Sequence, residues 1–317
     1  MANNDFSIDE LVEKATSGDS RSVAKLLTLV ERGGNQSDLV AEATHSFSGK
    51  AHVVGITGAP GAGKSTLTAG LAENLALTGN KPAVVAVDPS SPLTGGAILG
   101  DRVRMEKASA AGAFIRSMAT RGHAGGLALA VPGMVRVLDA CGFNPVIVET
   151  VGVGQVEVDI ASAADTVVVV VTAGWGDAVQ ANKAGLLEIA DLFVVNKADR
   201  PGAADARRDL ELMIDLSQVT GQATKRPEVI MTTATEEDGV KELETAINEH
   251  LNFLVDQNMI IERHSLRWKA EVRSRLNFLL LEAAEKSLNN LEQKGLKSPG
   301  SVAHKVAKNL LFKEDDQ

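Results

Sequence analysis

The chain has 317 residues, of which 44% are hydrophobic and 23% are charged. This composition is enough for one α/β domain with a full core and helical additions at its ends. The formal net charge of −9 argues against nucleic acid as the main partner, because a phosphate backbone favours a basic protein face. The single cysteine, Cys141, allows no intrachain disulfide and no cysteine-rich metal site.

The apolar runs of the sequence are short. The first residues are partly acidic and contain no apolar stretch of signal-peptide length. The most apolar run, residues 166–172, has the length of a buried strand and not of a membrane span. We therefore expect a cytoplasmic protein without a membrane partner.

Both ends of the chain predict helices. Apolar residues recur at helical spacing over residues 8–15 and again over 23–30, where the stripe ends at the glycine pair Gly33 and Gly34. Helical periodicity returns near residue 260. The sequence predicts an N-terminal helical extension at 1–50, a central domain at 51–258 and a C-terminal helical arm at 259–317.

The central part alternates short apolar runs with helical stretches such as Ser65–Leu77. The runs are rich in Val and Ile and contain few charges, which is typical of strands buried on both faces of a parallel sheet. They occupy residues 52–57, 83–88, 113–118, 145–150, 166–172, 192–197 and 228–233. The repeated strand-helix order predicts an α/β fold with a doubly wound, mostly parallel sheet, in which ligands bind at the carboxyl ends of the strands.

A phosphate-binding motif follows the first of these runs. Its residues match G-x-x-x-x-G-K-[ST] between a predicted strand and a predicted helix, the context that the motif requires. Glycines allow backbone N–H groups to approach phosphate oxygens, and the helix N-terminus favours an anion. Lys64 is expected to reach the β- and γ-phosphates, and the Ser65 hydroxyl is expected to bind Mg²⁺. The predicted phosphate-binding residues are Gly58, Ala59, Pro60, Gly61, Ala62, Gly63, Lys64, Ser65 and Thr66.

A second motif indicates which base is bound. The residues Asn196, Lys197 and Asp199 form N-K-x-D at the end of the sixth run. A carboxylate at Asp199 can accept two hydrogen bonds from the N1–H and N2–H₂ groups of guanine, and adenine offers no such pair of donors. Lys197 would lie along the base, and Asn196 would support the loop. The sequence therefore predicts GTP and GDP as ligands.

The segment Thr233-Ala234-Thr235 follows the seventh run. It is predicted either as a loop whose backbone amide meets the guanine O6 or as a plain turn.

Three carboxylates are candidates for the metal and the attacking water. Glu149 and Gly152 form [DE]-x-x-G, in which the carboxylate can hold Mg²⁺ through a water and the glycine amide can meet the γ-phosphate. Glu149 can alternatively cap a helix or form a salt bridge. Asp88 ends the second run, and Asp101 lies in the long loop after it. Either aspartate can bind Mg²⁺ or orient the water, and Asp101 can also be a helix N-cap.

Four blocks of sequence carry a family resemblance. The blocks GAPGAGKST, VDPSSPLTGGAILGDRVRM, ETVGVGQVEVDI and NKAD resemble the MeaB/ArgK family of GTPases over roughly residues 50–250. The resemblance implies a G-protein chaperone of an adenosylcobalamin-dependent acyl-CoA mutase, which gates cobalamin loading from an adenosyltransferase and protects the mutase. It also implies a homodimer formed with the C-terminal helices, and roles for Lys64, Ser65, Asp88, Asp101 and Glu149 in catalysis with Mg²⁺.

The resemblance also implies a third switch at residues 176–183, where Asp177, Gln180 and Lys183 match the family pattern. These residues are the candidates for coupling the partner to hydrolysis. The chain departs from the pattern at Ala181, so that a mutase related to methylmalonyl-CoA mutase, such as an isobutyryl-CoA mutase, is a further candidate. Trp175 is interpreted either as a partner-facing anchor or as a core residue.

The sequence also bears on rate and on rival functions. No glutamine follows Gly152 directly, so we expect slow intrinsic hydrolysis that a partner or a second copy accelerates. Two alternatives are a nickel-type metallochaperone GTPase, which would need a His/Cys-rich tract, and a kinase or transport-associated nucleotidase, which would prefer ATP. Nucleotide affinity and metal binding distinguish them.

Overall fold

A computed structural model describes residues 7–88, 105–119, 130–150, 160–174, 183–219, 225–289 and 298–311. The strands are β1 (Val53–Thr57), β2 (Ala83–Asp88), β3 (Phe114–Ala119), β4 (Val146–Glu149), β5 (Thr166–Val171), β6 (Leu192–Asn196) and β7 (Glu228–Thr232). The helices before β4 are α1 (Ile8–Thr16), α2 (Ser20–Arg32), α3 (Gly34–His45), α4 (Lys64–Leu77), α5 (Glu106–Ala111) and α6 (Val131–Ala140). The later helices are α7 (Lys183–Ile189), α8 (Ala203–Val219), α9 (Val240–Asp256), α10 (Met259–Asn289) and α11 (Pro299–Leu311).

The seven strands of the described residues form one parallel sheet in the order β3-β2-β4-β1-β5-β6-β7. The predicted doubly wound α/β fold is therefore confirmed, and each apolar run of the central domain corresponds to one strand to within one residue at β3. The chain order reverses around β1, which lies between β4 and β5. Such a point leaves a crevice beyond the carboxyl ends of the strands, where ligands of this fold class bind.

Helices cover both faces of the sheet, because alternate residues of each strand point to opposite sides. Val53 and its equivalents in the other strands pack in one apolar cluster with helices α1, α2, α6 and α8. Val54 and its equivalents pack in a second cluster with α4 and α9. Strands β1, β4, β5 and β6 are buried along their whole length, which explains their nearly continuous Val and Ile content.

The N-terminal residues form three helices, one more than the periodicity predicts. Gly33 adopts a left-handed φ of 71°, so α2 ends at Arg32 and α3 begins directly at Gly34. The glycine pair therefore joins two helices and does not end the helical region. Leu26 and Leu27 of α2 are fully buried in the core cluster of the sheet. The N-terminal helices thus share the core of the central sheet.

Two compact units are distinguished along the chain, Met1–Arg267 and Trp268–Gln317. The first contains the sheet and the N-terminal helices. The second contains the rest of α10 and α11. None of the helices in the described ranges is long and apolar enough to cross a membrane.

Two aspartates lie at the amino-terminal edge of the sheet, just before β5 and β6. Asp165 is fully buried and accepts hydrogen bonds from the Val53 amide at 2.9 Å and from Arg267 at 2.8 Å. Asp191 accepts from the Val167 amide at 2.8 Å and from Arg263 at 2.7 Å. Both arginines belong to the first turns of α10. These charge-assisted bonds therefore attach the beginning of α10 to the sheet.

A chain of side-chain hydrogen bonds lies beside these ion pairs. The Thr166 hydroxyl lies 2.8 Å from His52 Nε2 and 2.8 Å from His250 Nδ1. His250 Nε2 lies 3.4 Å from an Asp191 oxygen. Burial lowers the pKa of His52 to about 4, although the nearby Asp165 opposes this effect. His52 is therefore neutral in the folded protein near neutral pH.

The low pKa of His52 predicts an acid-dependent loss of stability. An unfolded histidine titrates near 6.5, so between pH 6.5 and 4 the unfolded chain binds more protons than the folded one. The contribution is fully present above the unfolded pKa and is lost as the pH falls towards 4. From pH 7 to pH 5 we expect a loss of about 2 kcal/mol from this residue.

Urea unfolding at both pH values measures this loss, and His52→Gln should reduce it. His45→Gln, at an exposed histidine, should retain the wild-type loss. Equal losses in wild type and His52→Gln would contradict the assignment.

Candidate functional site

The phosphate loop connects β1 to α4 at the carboxyl edge of the sheet. Gly58, Gly61 and Gly63 all have left-handed φ angles, of 135°, 79° and 91°. A side chain at Gly58 would collide with the Val170 carbonyl. The first residue of the loop after β1 therefore packs directly against the backbone of β5, and only glycine fits there. Helix α4 begins at Lys64, so the positive end of its dipole lies at the loop. This backbone is suited to binding an anion.

Lys64 places a positive charge inside the loop. Its side chain is buried, and its Nζ donates to the Gly58 carbonyl at 2.7 Å and to the Ala59 carbonyl at 3.2 Å. An ammonium group in this position can bind phosphate oxygens that approach the loop amides.

Ser65 and Glu149 bring two oxygen ligands together at the start of α4. Ser65 Oγ donates to Glu149 Oε1 at 2.6 Å. Glu149 is the last residue of β4 and is buried, and its backbone is in register with Ile56 of β1. Hydroxyl and carboxylate oxygens are the ligand types that Mg²⁺ prefers. These two side chains therefore fit a magnesium ion beside the phosphate loop. Thr66 follows Ser65 on the first turn of α4.

The Asn196 side chain connects the phosphate loop to the ends of β6 and β7. It is 2% exposed, and its Nδ2 donates to the Ala62 carbonyl at 2.8 Å. Its Oδ1 accepts from the Thr232 hydroxyl at 3.0 Å and from the Ala234 amide at 3.2 Å. A side chain on Gly63 would collide with the same Asn196 amide. The phosphate loop and the end of β7 are thus held by one buried amide.

Lys197 and Asp199 follow Asn196 at the same corner. Lys197 has an unusual left-handed φ of 60°, and its Nζ donates to the Gly61 carbonyl at 2.8 Å. The Ala198 amide donates to the Thr232 carbonyl, which keeps the two strand ends together. Asp199 is exposed in the turn after β6, where its carboxylate is accessible to a ligand.

The loop after β7 lies next to this turn. Thr233 and Ala234 are buried, and Thr235 is exposed. The Thr233 amide donates to the Asp238 carbonyl, and Gly239, the N-cap of α9, has a left-handed φ. The structure therefore brings the residues predicted to meet guanine, Asn196–Asp199 and 233–235, to a single corner of the sheet.

Several predicted residues lie outside the described part of the chain. These are Asp101, Gly152, Trp175, Asp177 and Gln180. Asp88 ends β2 and Lys183 begins α7, but their side chains are likewise outside the described atoms.

Three threonines beside the site were missed by the motif analysis. Thr232 contacts Asn196, and the hydroxyls of Thr57 and Thr150 lie 2.9 Å apart at the ends of β1 and β4. All three are almost completely buried. A polar residue at the end of an otherwise apolar strand is the signal that could have indicated them.

The geometry of the site agrees with a family-level match. The sequence model of the family described as Methylmalonyl Co-A mutase-associated GTPase MeaB matches residues 23–288. The chain belongs to the MeaB family of GTPases. The predicted family and the predicted GTPase activity are thereby confirmed, and membership implies that guanine nucleotides are the ligands of the site.

This MeaB-family GTPase is similar to several known proteins. It is 48% identical over 287 residues to a predicted GTPase of Pyrococcus horikoshii, with 90% of each chain covered. It is 38% identical over 213 residues to a fused isobutyryl-CoA mutase of Geobacillus kaustophilus, a match that covers 64% of this chain and 20% of that protein. The crystal structure of a LAO/AO transport system kinase is similar with a TM-score of 0.66 at 26% identity, covering 98% of this chain and 100% of that one.

The contact between Gly63 and Asn196 predicts the effect of a single methyl group. Gly63→Ala should displace the loop or the amide, and we expect GDP binding to weaken about tenfold or more, equivalent to at least ~1.4 kcal/mol. Isothermal titration calorimetry measures this change.

Gly79→Ala is the matched control. Gly79 has a φ of 90°, close to the 91° of Gly63, but an added Cβ would meet no atom of the described structure within 4 Å. It should cost about 1 kcal/mol of stability through backbone strain and leave GDP affinity unchanged. Equal GDP affinity in the two variants would contradict the steric argument.

Proposed function

We propose that this MeaB-family GTPase is a chaperone of an adenosylcobalamin-dependent acyl-CoA mutase, methylmalonyl-CoA mutase or a close relative. In this function it gates the loading of the cofactor from an adenosyltransferase and protects the mutase. The observation that carries the proposal is the relationship to the fused isobutyryl-CoA mutase, of which the matching part is one fifth. A homologous region in the same chain as a mutase supports a functional connection between the two. The family description, which associates its members with methylmalonyl-CoA mutase, supports the same connection.

In the proposed reaction the phosphate loop binds GTP, and water attacks the γ-phosphorus in line with the bond to the β-γ bridging oxygen. The new water–phosphorus bond forms as the bridging bond breaks, which leaves GDP, phosphate and a proton. Lys64 and the loop amides stabilise the charge that develops on the phosphate oxygens. Ser65 and Glu149 would hold Mg²⁺, which supplies further neutralisation of this charge when bound. Asp88 and Asp101 are proposed to bind the metal or to orient the water.

Coupling to the mutase is proposed to involve the segment with Trp175, Asp177, Gln180 and Lys183. The segment follows β5, whose carboxyl end is adjacent to the phosphate loop through the contact of Val170 with Gly58. The segment therefore directly continues a strand that contacts the phosphate loop. This continuity supports stimulation of hydrolysis by a partner that binds the segment.

The C-terminal arm is proposed to form a homodimer with a second copy of the chain. Four large apolar side chains lie about one helical turn apart on α10, and 45% to 54% of each is exposed. They are Trp268, Val272, Leu276 and Leu279. A solvent-exposed apolar stripe on a helix of 31 residues favours packing against another helix.

Asp199 predicts base selectivity. Asp199→Asn exchanges one acceptor oxygen for a donor, so one hydrogen bond to guanine is replaced by donor–donor repulsion, and we expect GTP and GDP to bind about 100-fold more weakly. Fluorescent GDP and ATP analogues measure both affinities. Asp205→Asn, at another exposed aspartate, should bind as wild type does. Equal affinity of the wild type for ATP and GTP would contradict the assignment of Asp199 as the residue that selects guanine.

The chaperone proposal is tested by GTP hydrolysis with and without purified mutase. We expect methylmalonyl-CoA or isobutyryl-CoA mutase to raise the kcat of GTP hydrolysis about tenfold or more. Intrinsic hydrolysis is expected to be slow, and the partner would complete the catalytic site. Trp175→Ala should reduce this stimulation and leave GDP affinity unchanged. No stimulation by either mutase, together with no complex in sedimentation, would reject the mutase partner. Equal loss of stimulation and GDP affinity would reject the role of Trp175.

The dimer is tested by sedimentation velocity. Leu276→Asp places a charge in the apolar stripe of α10 and should weaken self-association about tenfold or more. The control is Leu216→Asp on α8, where the leucine is 70% exposed and lies outside the stripe. A monomeric wild type, or a dimer that Leu276→Asp leaves intact, would contradict the proposed interface.

A further inference from the structure

Two buried threonine hydroxyls lie between the phosphate loop and Glu149, the candidate metal ligand. Thr150 Oγ1 donates to Thr57 Oγ1 at 2.9 Å. Thr57 is 0% exposed and Thr150 is 1% exposed. A hydroxyl pair in such a dry environment contributes more than the same pair in water would.

Each threonine is one residue away from a predicted functional group. Thr57 directly precedes Gly58, whose carbonyl accepts from Lys64. Thr150 directly follows Glu149, whose carboxylate accepts from Ser65. The hydroxyl pair therefore joins the residue before the phosphate loop to the residue after the candidate metal ligand.

The hydroxyl pair lies just beyond the last backbone pairing of β1 with β4. The paired register of β1 and β4 ends at Ile56 and Glu149, with one further backbone bond from the Thr150 amide to the Ile56 carbonyl. Beyond this point Thr57 is still in register with Val169 of β5. The contact between the two hydroxyls thus continues the attachment of the β4 chain to β1 past the end of the backbone ladder.

We propose that the Thr57–Thr150 hydrogen bond positions Glu149 relative to the phosphate loop and thereby determines how much Mg²⁺ the hydrolysis of GTP requires. The proposal rests on the proposed magnesium site at Ser65 and Glu149. Thr57 and Thr150 are positioning residues, since neither is placed among the proposed ligands of the nucleotide or the metal. Groups that orient a metal ligand affect metal affinity without touching the metal.

The alternative is that the two hydroxyls only satisfy each other within the core. Valine has nearly the shape of threonine but cannot form the bond, so Thr150→Val leaves the Thr57 hydroxyl without its partner. A purely structural role predicts a change in unfolding free energy with no change in Mg²⁺ requirement. A positioning role predicts that the Mg²⁺ requirement changes, because small displacements of a ligand weaken metal binding.

The experiment compares Thr57→Val, Thr150→Val, the double variant and Thr150→Ser in the full chain. The readouts are the Mg²⁺ concentration for half-maximal GTP hydrolysis, GDP affinity with and without Mg²⁺, and the unfolding free energy. Each valine variant should raise the half-maximal Mg²⁺ concentration about tenfold. Thr150→Ser, which keeps the hydroxyl, should stay within about twofold of wild type.

Two further results are expected. The double variant should resemble the single variants, because both remove the same bond. GDP affinity measured in a chelator should be unchanged. A wild-type Mg²⁺ requirement in both valine variants, additive effects in the double variant, or equal loss of GDP affinity with and without Mg²⁺ would overturn the proposal. If a valine variant does not fold, Thr150→Ala replaces it with the same expectation.

Glu149→Gln separates this proposal from the metal site on which it rests. A higher Mg²⁺ requirement in Glu149→Gln with unchanged valine variants would reject only the positioning role. An unchanged requirement in Glu149→Gln would reject the metal site and the positioning role together.

Discussion

The site depends on one buried side-chain amide, that of Asn196. Its donor contacts the Ala62 carbonyl of the phosphate loop, and its acceptor receives hydrogen bonds from Thr232 and Ala234 after β7. Segments that lie far apart in the chain are therefore held at a constant separation in an environment that excludes water. Because an unsatisfied buried amide is costly, displacement of either segment is opposed. A nucleotide needs this arrangement, since its phosphates and its base contact different loops at one time.

The carboxyl edge of the sheet carries the ligand-binding groups, and the amino edge carries stabilising ion pairs. In a parallel sheet all carboxyl ends meet at one edge, and this edge carries Lys64, Ser65, Glu149 and the turn with Asp199. The opposite edge carries the buried aspartates before β5 and β6, with arginines of α10 and a neutral histidine. Binding groups are accessible at the first edge, and stabilising charge pairs are enclosed at the second. Strands β5 and β6 therefore connect the two kinds of group, because each begins after one of these aspartates and ends at the carboxyl edge.

The relatives of this MeaB-family chain are matched over very different shares of their own lengths. Over 90% of its length it matches a protein of similar size, and a shorter part matches one fifth of a fused mutase. If the proposed mutase is a separate protein, this chain has to recognise it through its surface, because no covalent connection then raises the effective concentration of the partner. The switch segment after β5 and the apolar stripe on α10 are the two parts of the chain for which we propose partner recognition. The switch segment is proposed to bind the mutase, and the stripe is proposed to bind a second copy of the chain.

The sequence by itself determined the fold class, the strands and the family. Residues 145–150, for example, predict β4, observed at Val146–Glu149, because the burial of a strand on both faces is visible in its own residues. The phosphate loop and N-K-x-D are similarly local, since a few adjacent residues perform the binding. Only the tertiary structure decided the strand order, the continuation of the N-terminal region into α3, and pairs such as Thr57 with Thr150 or Asp165 with Arg267. These pairs join residues about a hundred positions apart, so their formation depends on crossover connections and packing that no local pattern contains.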